Sequence, residues 1–185
     1  MTFNGRRFDL SVLRARAMRH GIPCPYLFSK RVCYRYGDAH VDVADMLTDH
    51  GAARCAGLDA WAHLCGWPGK IGEAGADVAE MIAAGRLGDV QSYCMEDVAQ
   101  TQGVALRLAL ARGVLRPDGY LAAARTLLAA IDAEPRLVRL TERVDRERVL
   151  TATPTTVAAP SMTPMSTTST GEANVEAHDI DGARS

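Results

Sequence analysis

The feature that most constrains this chain is a helical period sustained from Asp89 to Gly113, "DVQSYCMEDVAQTQGVALRLALARG". Val90, Tyr93, Asp97, Val104 and Leu108 fall roughly on a common side of it, and Gly113 is suited to close it. The pattern stays helical from Ala76 almost to residue 150. "ADVAEMIAAG" precedes the long run, while "PDGYLAAARTLLAAID" and "PRLVRLTERVDRERVL" follow it, the last two each opening on a proline suited to a first helical turn.

The first half is less regular. "MTFNG" reads as the end of a strand, and "FDLSVLRARAMRHGIP" as a helix with Leu10, Leu13 and Ala17 on one face and Gly21 with Pro23 as its stop. Asp9 then sits where strand passes into helix, a place where aspartate also serves as a plain N-terminal cap. "CPYLFSKRVCYRYGDAHVDVADMLTDHG" starts irregular, becomes extended around Ala39 to Val43 and continues into a brief helix that stops at Gly51. "GLDAWAHLCG" is a second short helix, and "WPGKIGEAG" is a loop by its glycine and proline content. Residues 1–150 form one domain in this reading. Residues 151–185, rich in threonine, serine, alanine and proline with no apolar period, bury too little surface to offset their ordering entropy and are expected to be a disordered tail.

The 185 residues are 48% hydrophobic and 23% charged, which excludes wholesale disorder, and no apolar stretch reaches the length of a bilayer span. Nothing reads as a secretory signal, so a cytoplasmic protein is expected. Five cysteines without a C-x-x-C pair fit reduced thiols rather than a disulfide framework. His63 and Cys65 lie two apart in a helix-like stretch, an offset that points them to different faces, so a buried thiol is preferred to a zinc site. The net charge of −1 divides into −3 after residue 150 and +2 before it, with Arg6, Arg7, Arg14, Arg16 and Arg19 clustered early, where they could approach phosphates or simply form a solvated face.

Within the long run, "YCMED" sets Tyr93 and Asp97 four residues apart, an offset that stacks a hydroxyl and a carboxylate on one helix face. That pair alone is common by chance. Its companions are "FNGRRFDL", "HVDVADML" and "GLDAWAHLCGWPGKIGEAGADV". Together, in this order and spacing, they resemble bacterial proteins described as predicted 3′-5′ exonucleases related to the proofreading domain of family-B DNA polymerases. Those belong to the tyrosine-bearing branch of the DEDD superfamily, with a ribonuclease H-like fold. The resemblance covers most of residues 1 to about 150, and "GWPGKIGEAG" is its most specific part.

The resemblance implies four carboxylates holding two divalent ions ~3.5–4 Å apart, one activating a water and the other stabilising the leaving 3′ oxygen. Hard oxygen ligands suit Mg²⁺ or Mn²⁺. By the same resemblance Asp9 is the second motif's carboxylate and Asp97 the third motif's metal ligand. Tyr93 is the tyrosine that orients the water. Asn4 and Phe8 are flanking positions, counted with Arg6 and Arg7 as contacts to nucleic acid. The implied partner is the 3′ end of a single strand, DNA rather than RNA.

The family's first motif, an aspartate-x-glutamate on a central strand, is expected upstream of "FNGRRFDL". "IDAE" and "DRE", with Asp132, Glu134, Asp145 and Glu147, read instead as acidic residues at helix termini, the first after a helix-favouring alanine and leucine run. The expected fold is therefore an α/β ribonuclease H-like exonuclease domain lacking its N-terminal strands, and so predominantly α-helical. Its expected activity is weak or absent. The alternative is a non-catalytic helical nucleic-acid-binding or scaffold remnant. A sheet without its central strands leaves apolar surface uncovered, from which self-association is expected. An unrelated all-helical regulator would leave "FNGRRFDL" and "WPGKIGEAG" unexplained.

Overall fold

The structure is a computed structural model that describes residues 1–37, 39–72 and 78–153. The tail expected over residues 151–185 lies outside the described residues from 154 onward, as does the end of the glycine-rich loop at 73–75. Among the described residues ten helices run in the order α1 (Asp9–His20), α2 (Pro25–Phe28), α3 (Lys30–Cys33), α4 (Val43–Leu47), α5 (Leu58–Leu64), α6 (Val78–Ala83), α7 (Leu87–Ala111), α8 (Pro117–Asp132), α9 (Val138–Arg143) and α10 (Arg146–Val149), with a 3-10 turn at Pro135–Leu137. Among the described residues no strand forms, so the mostly helical expectation holds while a ribonuclease H-like sheet is not among them. No described helix is long and apolar enough to cross a membrane.

The axis is α7, whose 25 residues span about 37 Å at the rise of an α-helix. Its buried positions, Glu96, Ala99, Gln100, Gly103 and Val104, recur at three- and four-residue steps and so form one face. Against it lies α8, which starts on Pro117 and buries Tyr120, Ala124, Leu128 and Ile131 by the same spacing. One core cluster joins these residues to Val43 of α4, Ala62 of α5, Leu140 of α9 and Val149 of α10. The Tyr120 hydroxyl donates to the Val149 carbonyl at 2.6 Å, and the Arg107 guanidinium, 4.7 Å above the Tyr120 ring, donates to the carbonyls of Arg148, Val149 and Thr151. These bonds satisfy the carbonyls left open where α10 ends. Glu96, 2% exposed, is met by Arg139, whose Nε and Nη2 donate to its carboxylate at 3.1 and 3.3 Å and so tie α9 to α7.

The N-terminal elements make a thinner layer. Helix α1 ends as expected at Gly21, whose φ of 62° lets Ile22 N–H turn back to the Ala17 carbonyl at 2.9 Å. Of its expected apolar face only Leu10 and Ala17 are buried, and Leu13 is half exposed. The stretch read as irregular folds into α2, opened by Pro25, and α3, capped by the Ser29 hydroxyl. The extended segment around Ala39 to Val43 contracts to an isolated parallel bridge, in which Thr2 N–H donates to Val41 O and Val43 N–H to Thr2 O, both at 2.9 Å. Pairing stops there because Asp42 turns its side chain to the helix start, accepting from Ala44 N–H and opening α4 at Val43. The helix expected over "PRLVRLTERVDRERVL" is broken into the 3-10 turn, α9 and α10, since Val144 is extended and Asp145 caps a new start by accepting from Arg148 N–H at 2.9 Å.

Candidate functional site

Tyr93 and Asp97 are brought together one turn apart on α7, close enough that each shifts the titration of the other. Burial pushes the Asp97 carboxyl above the usual carboxylate range, against the opposing pull of the Tyr93 hydrogen bond and of the Lys70 ammonium. The Tyr93 hydroxyl is also raised, first by burial and then by the charge of Asp97 and the hydrogen bond to it. Tyr93 therefore keeps its proton through the neutral range and offers it to the carboxylate. A cleft of about 200 Å³ opens beside Tyr93, with Arg139 and the Arg86–Asp89 pair on its walls.

Lys70 reaches this pair because of how its loop is seated. Gly66, with φ 89°, has no room for a Cβ beside the Asp145 carbonyl, and Trp67 is 3% exposed with its indole lying against Gly103 of α7. Asp59 accepts from the Lys70 N–H at 2.7 Å, and Ile71 is buried beyond it. Reading this loop as irregular by composition left its function unassigned. The signal lay in its one lysine between glycines, flanked by the buried Trp67 and Ile71.

The other expected site residues belong to the N-terminal layer. Asp9 is the first residue of α1 and provides no side-chain cap; the cap position is Phe8, whose ring is 66% exposed. The charge of Asp9 is felt at His40, where it opposes the lowering by burial and by Arg6. Asn4 takes a left-handed φ of 61°, and its N–H donates to buried Asp42 at 2.7 Å while Arg6 N–H donates to the other oxygen at 2.8 Å. The Arg6 guanidinium is turned inward, donating to the carbonyls of Val32, Tyr34, Arg35 and His40, with Asp45 at 3.5 Å. Arg7 is exposed, and with Asn4 and Arg6 it lines a single cleft.

Among the described residues no three His, Cys, Asp or Glu side chains converge as a metal would require. Burial raises Asp97, and the neighbouring Glu96 carboxylate is turned to Arg139, so the described residues do not assemble the ligands of a two-ion centre. The five cysteines are free; Cys65 is part of the core, where burial raises its thiol, and His63 Nδ1 lies 3.2 Å from the Trp67 carbonyl oxygen. Those contacts account for both residues structurally.

No curated protein and no solved structure matches the chain. Residues 1–144 match the family described as predicted 3′-5′ exonucleases related to the exonuclease domain of PolB, and these residues include Asn4, Asp9, Lys70, Tyr93 and Asp97. With the match running over most of its length, the chain belongs to that family of predicted PolB-related 3′-5′ exonucleases.

Proposed function

We propose that this chain is a 3′-5′ exonuclease module that addresses the 3′ end of single-stranded nucleic acid, DNA rather than RNA, through Tyr93, Asp97 and Lys70. The observation that carries the reading is the interacting Tyr93–Asp97 pair one turn apart on α7 with the Lys70 charge felt at it, in a chain of this family. Asp97 offers a carboxylate acceptor, Tyr93 a hydroxyl that stays protonated near neutral pH, and Lys70 a cation for a phosphate oxygen. Asp9 is the second carboxylate of this reading, and Asn4, Phe8 and Arg7 are contacts to the strand. Arg6 serves as the clamp that holds their segment.

The family's chemistry would use Mg²⁺ or Mn²⁺, for which Asp9 and Asp97 would be the carboxylate ligands in this chain, although no group of three ligands converges among the described residues. With no such group among the described residues, the phosphodiesterase activity in this reading is weak. A second reading, a non-catalytic nucleic-acid-binding or scaffold module, is favoured by the lack of converging ligands among the described residues. The chain also self-associates through its exposed N-terminal apolar surface.

Purified protein with Mn²⁺ and a 5′-labelled single-stranded DNA tests these readings. The expected result is binding of the strand with mononucleotide release no faster than in Asp97→Ala. Rapid 3′ shortening that is lost in Asp97→Ala would overturn the weak-activity reading and establish an active enzyme. Shortening unaffected by Asp97→Ala would remove Asp97 from the site.

A further inference from the structure

A cleft of about 790 Å³ opens in the N-terminal layer between the segment at residues 4–7 and the residues from Cys33 to Cys55. Four guanidiniums, those of Arg6, Arg7, Arg35 and Arg54, line it against one carboxylate, Asp45. Their commitments differ. Arg6 is held by backbone carbonyls, and Arg35 grips Asp45 with Nε at 2.8 Å and Nη2 at 2.5 Å. Asp45 is kept ionised by that grip, which lowers its carboxyl, so it serves as the buttress of Arg35. Arg7 and Arg54 are exposed, and among the described residues no hydrogen bond or ion pair holds either. Two exposed cations facing one cleft, whose lining carboxylate Asp45 is already paired with Arg35, make a site for an anion with more than one charge.

The aromatic side chains decide which anion. Tyr36, 67% exposed, meets His50 of this cleft edge-on at 4.4 Å between ring centroids, and Tyr34, 60% exposed, meets Tyr36 at 5.9 Å. Arg35 and His50 also form a wall of the neighbouring cleft that Tyr36 lines. Cations that follow a backbone, set beside exposed aromatic faces, are the combination by which single strands are held without sequence preference. We propose that this cleft binds single-stranded nucleic acid, with Arg7 and Arg54 on backbone phosphates and Tyr36 as a stacking face for a base. The site extends the nucleic-acid reading given above and rests on it, but uses Arg54 and Tyr36, which lie outside the Tyr93–Asp97 centre.

The test is metal-free binding of a fluorescein-labelled oligothymidylate to the full chain at several salt concentrations, with circular dichroism to check folding. The paired change Arg7→Ala with Arg54→Ala weakens binding tenfold or more and makes the logarithmic salt dependence shallower by about 1.4, two phosphates at ~0.7 each. Tyr36→Ala weakens binding about five- to 150-fold at unchanged salt dependence, and Tyr36→Phe restores it. Arg16→Ala, an exposed arginine outside the cleft, has no effect. Equal losses in the Arg16 variant, or none in the cleft variants, overturn the cleft while leaving the Tyr93–Asp97 reading intact. A wild-type protein that binds no strand overturns both. Displacement by thymidine monophosphate at matched phosphate concentration would make it a free-nucleotide site and overturn the strand assignment.

Discussion

At Asp97 the tension between burial and charge has a measurable consequence. The carboxyl is raised above its ordinary value of 3.8 because the cost of burying its charge exceeds what Tyr93 and Lys70 return. The folded chain therefore holds a proton at Asp97 in a pH window where the unfolded chain has lost it, and stability contributed there falls as pH rises through the folded value. Asp97→Asn keeps an acceptor for the Tyr93 hydroxyl and removes the charge. Thermal melts should show the asparagine variant at least as stable as wild type at pH 7, with the gap closing as pH falls towards about 3.8. A wild type that gains stability relative to the variant on going from acid to neutral pH would show that the ionised carboxylate is the favoured native form. Of this site, Tyr93 and Asp97 were legible in the sequence because helical spacing alone brings an i, i+4 pair together. Lys70 was not, since its approach depends on a loop conformation fixed by Asp59, Trp67 and two glycines with positive φ. Arg6 and Arg7 are adjacent and chemically equal in sequence; only the fold turns one into carbonyls and leaves the other in water.

Among the elements, those with a sustained period were read with little error: α8 spans the residues of "PDGYLAAARTLLAAID", and α1 closes at Gly21. Those decided by side-chain competition were not. Asp145 caps a new helix at a point where periodicity continues, and one short polar side chain accepting a backbone N–H is enough to restart the chain, whereas the brief helix expected after the extended segment forms as α4 behind Asp42. The seat of the glycine-rich loop on α7 is likewise a tertiary matter. Gly103 sits under the Trp67 indole, and a Cβ there would overlap the ring. Gly103→Ala would be favoured by helix propensity on an exposed surface, by roughly 1 kcal/mol. Here the rigid indole must shift, so the expected result is a net loss of about 1–3 kcal/mol in urea unfolding, with the melting temperature falling by several degrees. The same variant should displace Lys70 and bring the Asp97 carboxyl still higher, readable by NMR titration. A variant as stable as wild type with an unshifted Asp97 would mean that Trp67 does not anchor the loop.

For the whole molecule, the two halves are held by different forces. The cluster around α7 and α8 buries Ile131, Leu140, Val104 and Val149 almost completely. The layer of α1 to α3 buries Leu10, Ala17 and Val32 outside that cluster, and it is joined to α4 largely by polar bonds, from Asn4 and Arg6 to Asp42 and from Arg6 to carbonyls. Exposed apolar side chains remain in this layer: Phe8 at the cap of α1, Val12, Leu13 and Met18 on it, and Tyr26 and Phe28 on α2 are 41% to 75% exposed. Isolated exposed apolar side chains are ordinary, but several on the adjoining helices α1 and α2 lose free energy to water that a second copy of the same surface would recover. Such a contact is self-complementary and closes as a two-fold dimer. Sedimentation velocity at tens of micromolar should therefore show a dimer or larger species, at about the concentration range where weak, small interfaces assemble. Changing Val12 and Met18 together to lysine adds two like charges on each copy, and should return a folded monomer with stability within about 0.5 kcal/mol of wild type, since both positions are on the surface. Were the lysine variant to sediment like wild type, association would run through some other surface. Were wild type itself monomeric at that concentration, the exposed face would be a site for a different partner or for none.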